Sequence, residues 1–173
     1  MKSRAGLVVA CIVMLLMMGC APEKKAAETV YAGQKSVNDF ETILDQNPNG
    51  VLANRNGESL RTQIISFQFI DGNKVYFCTG SEKPLYQQLL KFPDVSYCTY
   101  PDDFEPVLSL NGKVIFTDDR ALKERVFNGT GYSSRFIMNH YKSIDNPNLK
   151  LFYIDVVEIE TYDSSGANVY RTK

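Results

Sequence analysis

The chain has no tryptophan, a single histidine and four cysteines in 173 residues. Each scarcity excludes a chemistry. With no GxSxG turn and His140 as its one candidate base, a serine hydrolase lacks its nucleophile elbow. No two cysteines are spaced as CxxC and none clusters with His140, so a zinc site lacks ligands. A surplus of one charge is missing too: 19 basic side chains face 20 acidic ones, for a net charge of −1. That balance does not suit a nucleic-acid-binding surface. Long hydrophobic runs are confined to Leu7–Met18, which is shorter than the ~20 residues a spanning helix needs.

What is present begins with that run. Lys2 and Arg4 precede it and Met17-Met18-Gly19-Cys20 ends it, a pattern that resembles the bacterial lipoprotein signal. Residues 1–19 are therefore expected to be a signal peptide, and Cys20 the acylated first residue of the mature protein. This predicts an extracytoplasmic protein of the bacterial cell envelope, held at a membrane by its lipid alone. Residues 20–35 are polar and aperiodic and read as a tether, leaving residues 36–173 as one domain. The remaining thiols, Cys78 and Cys98, could pair as a disulfide in an exported protein, but read as two small buried hydrophobes rather than as a bridge.

Along the domain, Ser36 opens a helix with Asp39 as its capping-box partner, and Asn47-Pro48-Asn49-Gly50 closes it. Val51–Asn54 forms a short strand. The Asn56-Gly57 hairpin leads into a strand over residues 60–70, and Asp71-Gly72-Asn73 turns the chain into Lys74–Thr79. Further strands are expected over 95–100, over 107–116 with a bulge or turn at Asn111-Gly112, and over 149–162. Helices are expected over 118–127 and 133–141. Six strands in mostly hairpin order with inserted helices predict an α+β protein built on an antiparallel barrel.

The most informative stretch is KVYFCTGSEKPLYQQLLKFPDVSYCTY, residues 74–100. Val75, Phe77 and Thr79 alternate with Tyr76 and Cys78 as a strand requires. Gly80 and Ser81 then break the strand, Ser81 is placed to cap a helix, and Leu85, Leu89 and Leu90 recur at helical spacing. A strand-to-helix turn that carries a hydroxyl and the ammonium of Lys83 suits a phosphate. Tyr76, Phe77, Tyr97 and Tyr100 alternate as barrel core and contact residues rather than as a base-stacking platform. His140 reads as a surface or packing residue rather than a haem ligand. Asp102, Asp103 and Glu105, bracketed by Pro101 and Pro106, read as a solvated loop.

Taken in order, VLANRNGESLRTQIISFQFIDGNKVYFCTGSEKPLYQQLLKFPDVSYCTY and VLSLNGKVIFTDDRALKERVF resemble the pyridoxamine 5′-phosphate oxidase-like proteins, the FMN-binding split barrels. Lys83, Tyr86 and Leu89 fit the KxxYxxL helix of that family, and the resemblance spans residues 50–162. It implies a six-stranded split barrel and a homodimer with FMN held between the subunits. It places Arg61 near the phosphate or ribityl chain, Gln63 and Ile64 on the strand along the flavin, and Thr79, Gly80, Ser81 and Lys83 in the phosphate turn. Two positions depart from the pattern: Glu82 where members often carry Lys, Arg or Asn, and Gln63 where many have a second Arg. The implied function is a flavin-dependent oxidoreductase with a small-molecule substrate or electron donor. The alternative is a flavin-free binding or structural lipoprotein on the same barrel.

Overall fold

The pleat of residues 59–71 sets the frame, because period two sends Ile65 and Phe67 to one side and Ile64 and Ser66 to the other. The first pair is buried and joins the interior cluster, whereas Ile64 is 79% exposed. The computed structural model describes residues 29–129 and 132–172, and of Tyr132 only the backbone. The signal peptide and Cys20 lie outside the described residues. In chain order the strands are β1 (Gly33–Gln34), β2 (Asn49–Asn56), β3 (Ser59–Asp71), β4 (Lys74–Gly80), β5 (Asp94–Thr99), β6 (Val107–Thr117), β7 (Leu149–Asp163) and β8 (Gly166–Arg171). The helices are α1 (Glu41–Gln46), entered through a 3-10 turn at Val37–Phe40, then α2 (Pro84–Lys91), α3 (Arg120–Phe127) and α4 (Tyr132–Tyr141).

Strands β7, β4, β3, β2, β5 and β6 pair in that order, and β6 pairs back onto β7, closing a six-stranded antiparallel barrel. The expected architecture is the observed one. Two tight turns set its first hairpins: Gly57 and Gly72 stand at φ +65° and +60° in the β2–β3 and β3–β4 turns, where a side chain would be strained. The Asn111-Gly112 signal is a bulge between β6 and β7, a device that bends a strand so that a barrel can close. A second bulge, which the sequence pattern does not announce, leaves Gln68 unpaired between Phe67 and Phe69.

The apolar residues divide into two clusters. Inside the barrel lie Leu52, Phe67, Phe77, Tyr97, Leu110, Phe152 and Ile154, joined by Val37 and Phe40 of the 3-10 turn, Leu44 of α1, and Leu85 and Leu89 of α2. Outside it, α3 and α4 cover Phe69, Tyr76, Cys78, Leu149 and Leu151 with Val126, Ile137 and Tyr141. Strand β4 is therefore buried on both faces, which explains why its run from Val75 to Gly80 shows no exposed position. Each such side chain contributes ~1.5–3 kcal/mol of transfer free energy.

Three elements differ from expectation. Helix α2 begins at Pro84 with Lys83 as its N-cap, not at Ser81. Proline at the first helical position holds the preceding residue extended, and Lys83 sits at φ −83°, ψ 141°. Strand β8 continues the sheet beyond the barrel along β7. The end of the segment read as a tether lies along β8: Gly33 and Gln34 pair with it in parallel, Tyr31 donates to Glu158 at 3.1 Å, and the Arg171 guanidinium sits 3.9 Å from the Tyr31 ring centroid. Cys78 and Cys98 are free thiols. No helix among the described residues is long and apolar enough to cross a membrane.

Candidate functional site

Two adjoining spaces meet at Lys83. The first is a groove of about 260 Å³ between the start of β3 and the start of α2, lined by Arg61, Gln63, Lys83, Pro84 and Gln88 among others. The second is a cavity of about 140 Å³ between β3, β4 and α4, with Ile64, Gln68, Cys78, Lys83 and Tyr141 on its wall. Lys83 reaches both because Pro84 fixes it, extended, at the corner where β4 gives way to α2.

In the groove, Arg61 and Lys83 are exposed, and neither forms an ion pair with any described residue. Two uncompensated cations sharing a concave surface form a seat for an anion. Beneath them, Asn54 is 2% exposed. Its amide nitrogen donates to Gln88 Oε1 at 2.9 Å and its Oδ1 accepts from Gln63 Nε2 at 3.1 Å. This fixes both glutamines while leaving the Gln88 side-chain nitrogen and the Gln63 side-chain oxygen without a hydrogen bond to any described residue. Asn54 was not singled out by its sequence context, although an asparagine in a β-rich run is a weak signal in itself.

Of the other residues expected at the phosphate, none lines either space. Thr79 is 3% exposed and pairs with Lys150. Gly80 pairs with Leu149, and the Glu82 carboxylate rests against it in the space that a Cβ would occupy. The Ser81 N–H donates to the Asn148 carbonyl at 2.9 Å and its hydroxyl to Asn148 Oδ1 at 3.0 Å. Both donors of Ser81 are thus spent on the loop before β7, and the Lys83 N–H is spent on the Gly80 carbonyl within the turn. Arg61, Gln63 and Lys83 come together in one groove, and Ile64 lines the neighbouring cavity with Lys83.

The cavity holds the more buried chemistry. Tyr141 is 4% exposed and its hydroxyl has no partner among the described residues, while Gln68 donates its amide to the Ser66 carbonyl at 3.0 Å and leaves Oε1 unmatched among them. Burial pushes the Tyr141 hydroxyl up to about 12, with the charges of Glu82 and Cys78 acting the same way. Burial also pushes the Cys78 thiol up to about 12, against a smaller opposing effect of Lys123, so the thiol is protonated and unreactive at neutral pH. His140 is an exposed residue stacked on Phe136 at 5.9 Å. Asp102, Asp103 and Glu105 are exposed, and no metal-binding group of acidic, cysteine or histidine residues occurs among the described residues.

No protein-family model matches the chain, and no curated protein matches it. Solved structures do. A NimC/NimA family protein from Clostridium acetobutylicum superposes with a TM-score of 0.66 at 19% identity, over 76% of this chain and 91% of that one. General stress protein 26 from Bacillus anthracis gives 0.65 at 17% identity, over 78% and 96%. Its fold is the split barrel of these proteins. A pyridoxamine 5′-phosphate oxidase-related, FMN-binding protein from Nostoc punctiforme shares it at a TM-score of 0.54 and 15% identity, over 76% of this chain and 87% of that one. At such identities the agreement is one of fold, and it matches the architecture implied by residues 50–162.

Proposed function

We propose that this split barrel is an FMN-binding protein of the pyridoxamine 5′-phosphate oxidase-like type, tethered to the cell envelope through Cys20, that serves as an oxidoreductase for a small-molecule substrate. The observation that carries the reading is the groove in which two unpaired cations, Arg61 and Lys83, flank the Asn54-fixed amides of Gln63 and Gln88. A phosphate dianion fits that donor set. Both cations supply charge-assisted hydrogen bonds, and the Gln88 amide nitrogen supplies a neutral one. When bound, the flavin would supply two-electron transfer; the protein's part is to bind and orient it. Arg61 and Lys83 hold the phosphate end, and Ile64 presents an apolar surface beside them. The Nostoc punctiforme protein, FMN-binding on the same fold, supports the assignment.

The groove and cavity, at about 260 and 140 Å³, are each below the ~300–1,000 Å³ typical of a complete cofactor site. A second copy of the chain is therefore expected to complete the site, as a homodimer. An electron donor and the substrate approach from solvent.

The Gly80–Glu82 turn favours a second reading, a flavin-free binding lipoprotein. The Ser81 N–H and hydroxyl are engaged by Asn148, and the Glu82 carboxylate would repel a phosphate brought alongside. One measurement separates the two. The protein is purified, its visible spectrum recorded, and FMN added before gel filtration. Flavin absorbance eluting with the protein, and a melting temperature that rises with FMN concentration, are expected. A colourless protein whose melting temperature ignores FMN would leave the second reading standing.

A further inference from the structure

The cavity beside Lys83 has features that an anion seat does not need. Gln68 is the extra residue of the β3 bulge, and bulges re-aim side chains beside functional sites. Its Oε1 has no partner among the described residues, nor has the hydroxyl of Tyr141 on α4, and both residues line the same space. Buried polar atoms are nearly always satisfied in folded proteins, so two orphans on one cavity wall point to something that fills it. The remaining wall mixes apolar side chains, Ile65, Cys78 and Ile137 among them, with the hydroxyls of Ser66 and Ser133, and its one charged member among the described residues is Lys83, which is exposed and also borders the groove. The volume, about 140 Å³, is close to the ~150 Å³ of a cavity that accepts one benzene ring. It is too small for a three-ring flavin.

We propose that this cavity is a subsite for a small neutral single-ring ligand that gives an N–H or O–H to Gln68 Oε1 and accepts a hydrogen bond from the Tyr141 hydroxyl. A lactam or phenol-like ring meets both conditions. A carboxylate does not, because it brings no donor to Gln68 Oε1 and sets its own oxygens against that acceptor. The subsite's use rests on the flavin reading, which makes it the place of the substrate ring; its shape and polarity do not.

The test uses the full chain in detergent micelles and 2-pyridone, a one-ring lactam with an adjacent donor and acceptor, with toluene and benzoate as controls. Calorimetric titration, run with and without saturating FMN, is expected to show 2-pyridone binding more tightly than either control. Tyr141→Phe is expected to weaken 2-pyridone about tenfold, the scale of one hydrogen bond. Its urea midpoint should be unchanged or higher, because the hydroxyl removed has no protein partner. Equal affinity for 2-pyridone and toluene, an affinity indifferent to Tyr141→Phe, no binding of 2-pyridone, or a crystal soaked with 2-pyridone that shows only ordered water in the cavity would each overturn the subsite. The two readings fail separately. Binding of 2-pyridone without FMN retention keeps the cavity and removes the flavin, whereas FMN retention without 2-pyridone binding does the opposite.

Discussion

Lys83 stands where the groove and the cavity meet, and its neighbour Glu82 carries the opposite charge one residue away. The two side chains should act on FMN in opposite directions. If the phosphate lies between Arg61 and Lys83, Lys83→Ala removes a charge-assisted hydrogen bond, and FMN affinity should fall by about 1.5–3 kcal/mol. That is about ten- to a hundred-fold in Kd by fluorescence titration. Glu82→Gln removes a like charge next to the seat and should tighten FMN about two- to five-fold, an effect of exposed charge that fades at high salt. An unchanged Kd in Lys83→Ala would place the phosphate elsewhere. Burial of Cys78 gives a pH prediction of a different kind. Its thiol, near 9.0 in an unfolded chain, is held up to about 12 in the fold. Between those values the unfolded chain loses a proton that the folded chain keeps, so raising the pH favours unfolding. The stability this group contributes is complete below pH 9 and declines by at most about 1.4 kcal/mol per pH unit towards pH 12. Tyr141 adds a loss of the same sign above pH 10. Urea midpoints for Cys78→Ala should therefore fall less steeply with pH than those of the unaltered protein between pH 9 and 10, the difference between the two isolating the thiol from the buried tyrosines that both proteins share.

Among the elements, the β3–β4 turn does more than reverse the chain. Asn73 accepts from the Ser36 hydroxyl and the Val37 N–H, both at 3.3 Å, and donates to the Thr172 carbonyl at 3.2 Å. One turn side chain thus ties the start of the first helical turn to the end of the sheet. Asn73→Ala should lower the unfolding free energy by about 1–3 kcal/mol in urea titration, since it leaves partly buried groups without partners. A loss below 0.5 kcal/mol would mean that water replaces the amide without cost. This knot also marks the limit of what the sequence discloses. Features set by near neighbours were legible: the Ser36–Asp39 capping box, the glycines of the two hairpin turns, the Asn111-Gly112 bulge and the alternation of β4. Together they were enough for the barrel. At Ser81 the local signal pointed to the wrong residue, because Pro84 three residues further on decides where the helix starts. Contacts across the sequence were not legible. Asn54 meets Gln63 and Gln88 only after β2, β3 and α2 are assembled, and Gln68 and Tyr141 share a cavity only because a bulge and a distant helix bring them together. Strand β8 escaped notice because Gly166–Arg171 alternates weakly and is held by its pairing with β7 rather than by its own burial, and β1 by its pairing with β8.

For the molecule as a whole, the question is what covers the free end of the β2–β3 hairpin. The first four residues of β3 are all exposed, with Leu60 at 76%, and Ile64 just beyond stands at 79% on the outward face. Large aliphatic side chains that exposed and the adjoining groove of about 260 Å³ at Arg61 and Lys83 belong together if a second copy supplies a further wall and the groove holds the proposed flavin. Covering both at once would remove apolar area from water and complete the site in one step. The hairpin would then be a dimer element and a flavin element at the same time, so association and cofactor retention should fail together. Ile64→Arg tests that coupling. The residue has little to lose in the monomer, where it touches mainly solvent, so its urea midpoint at low protein concentration should stay within about 0.5 kcal/mol of the unaltered protein. A buried, unpaired guanidinium at a two-fold interface would be introduced twice. Sedimentation should then show a shift from dimer to monomer, and FMN affinity should drop even though Arg61 and Lys83 are intact. Retained FMN in a protein that sediments as a monomer would break the link and locate the whole flavin site within one chain.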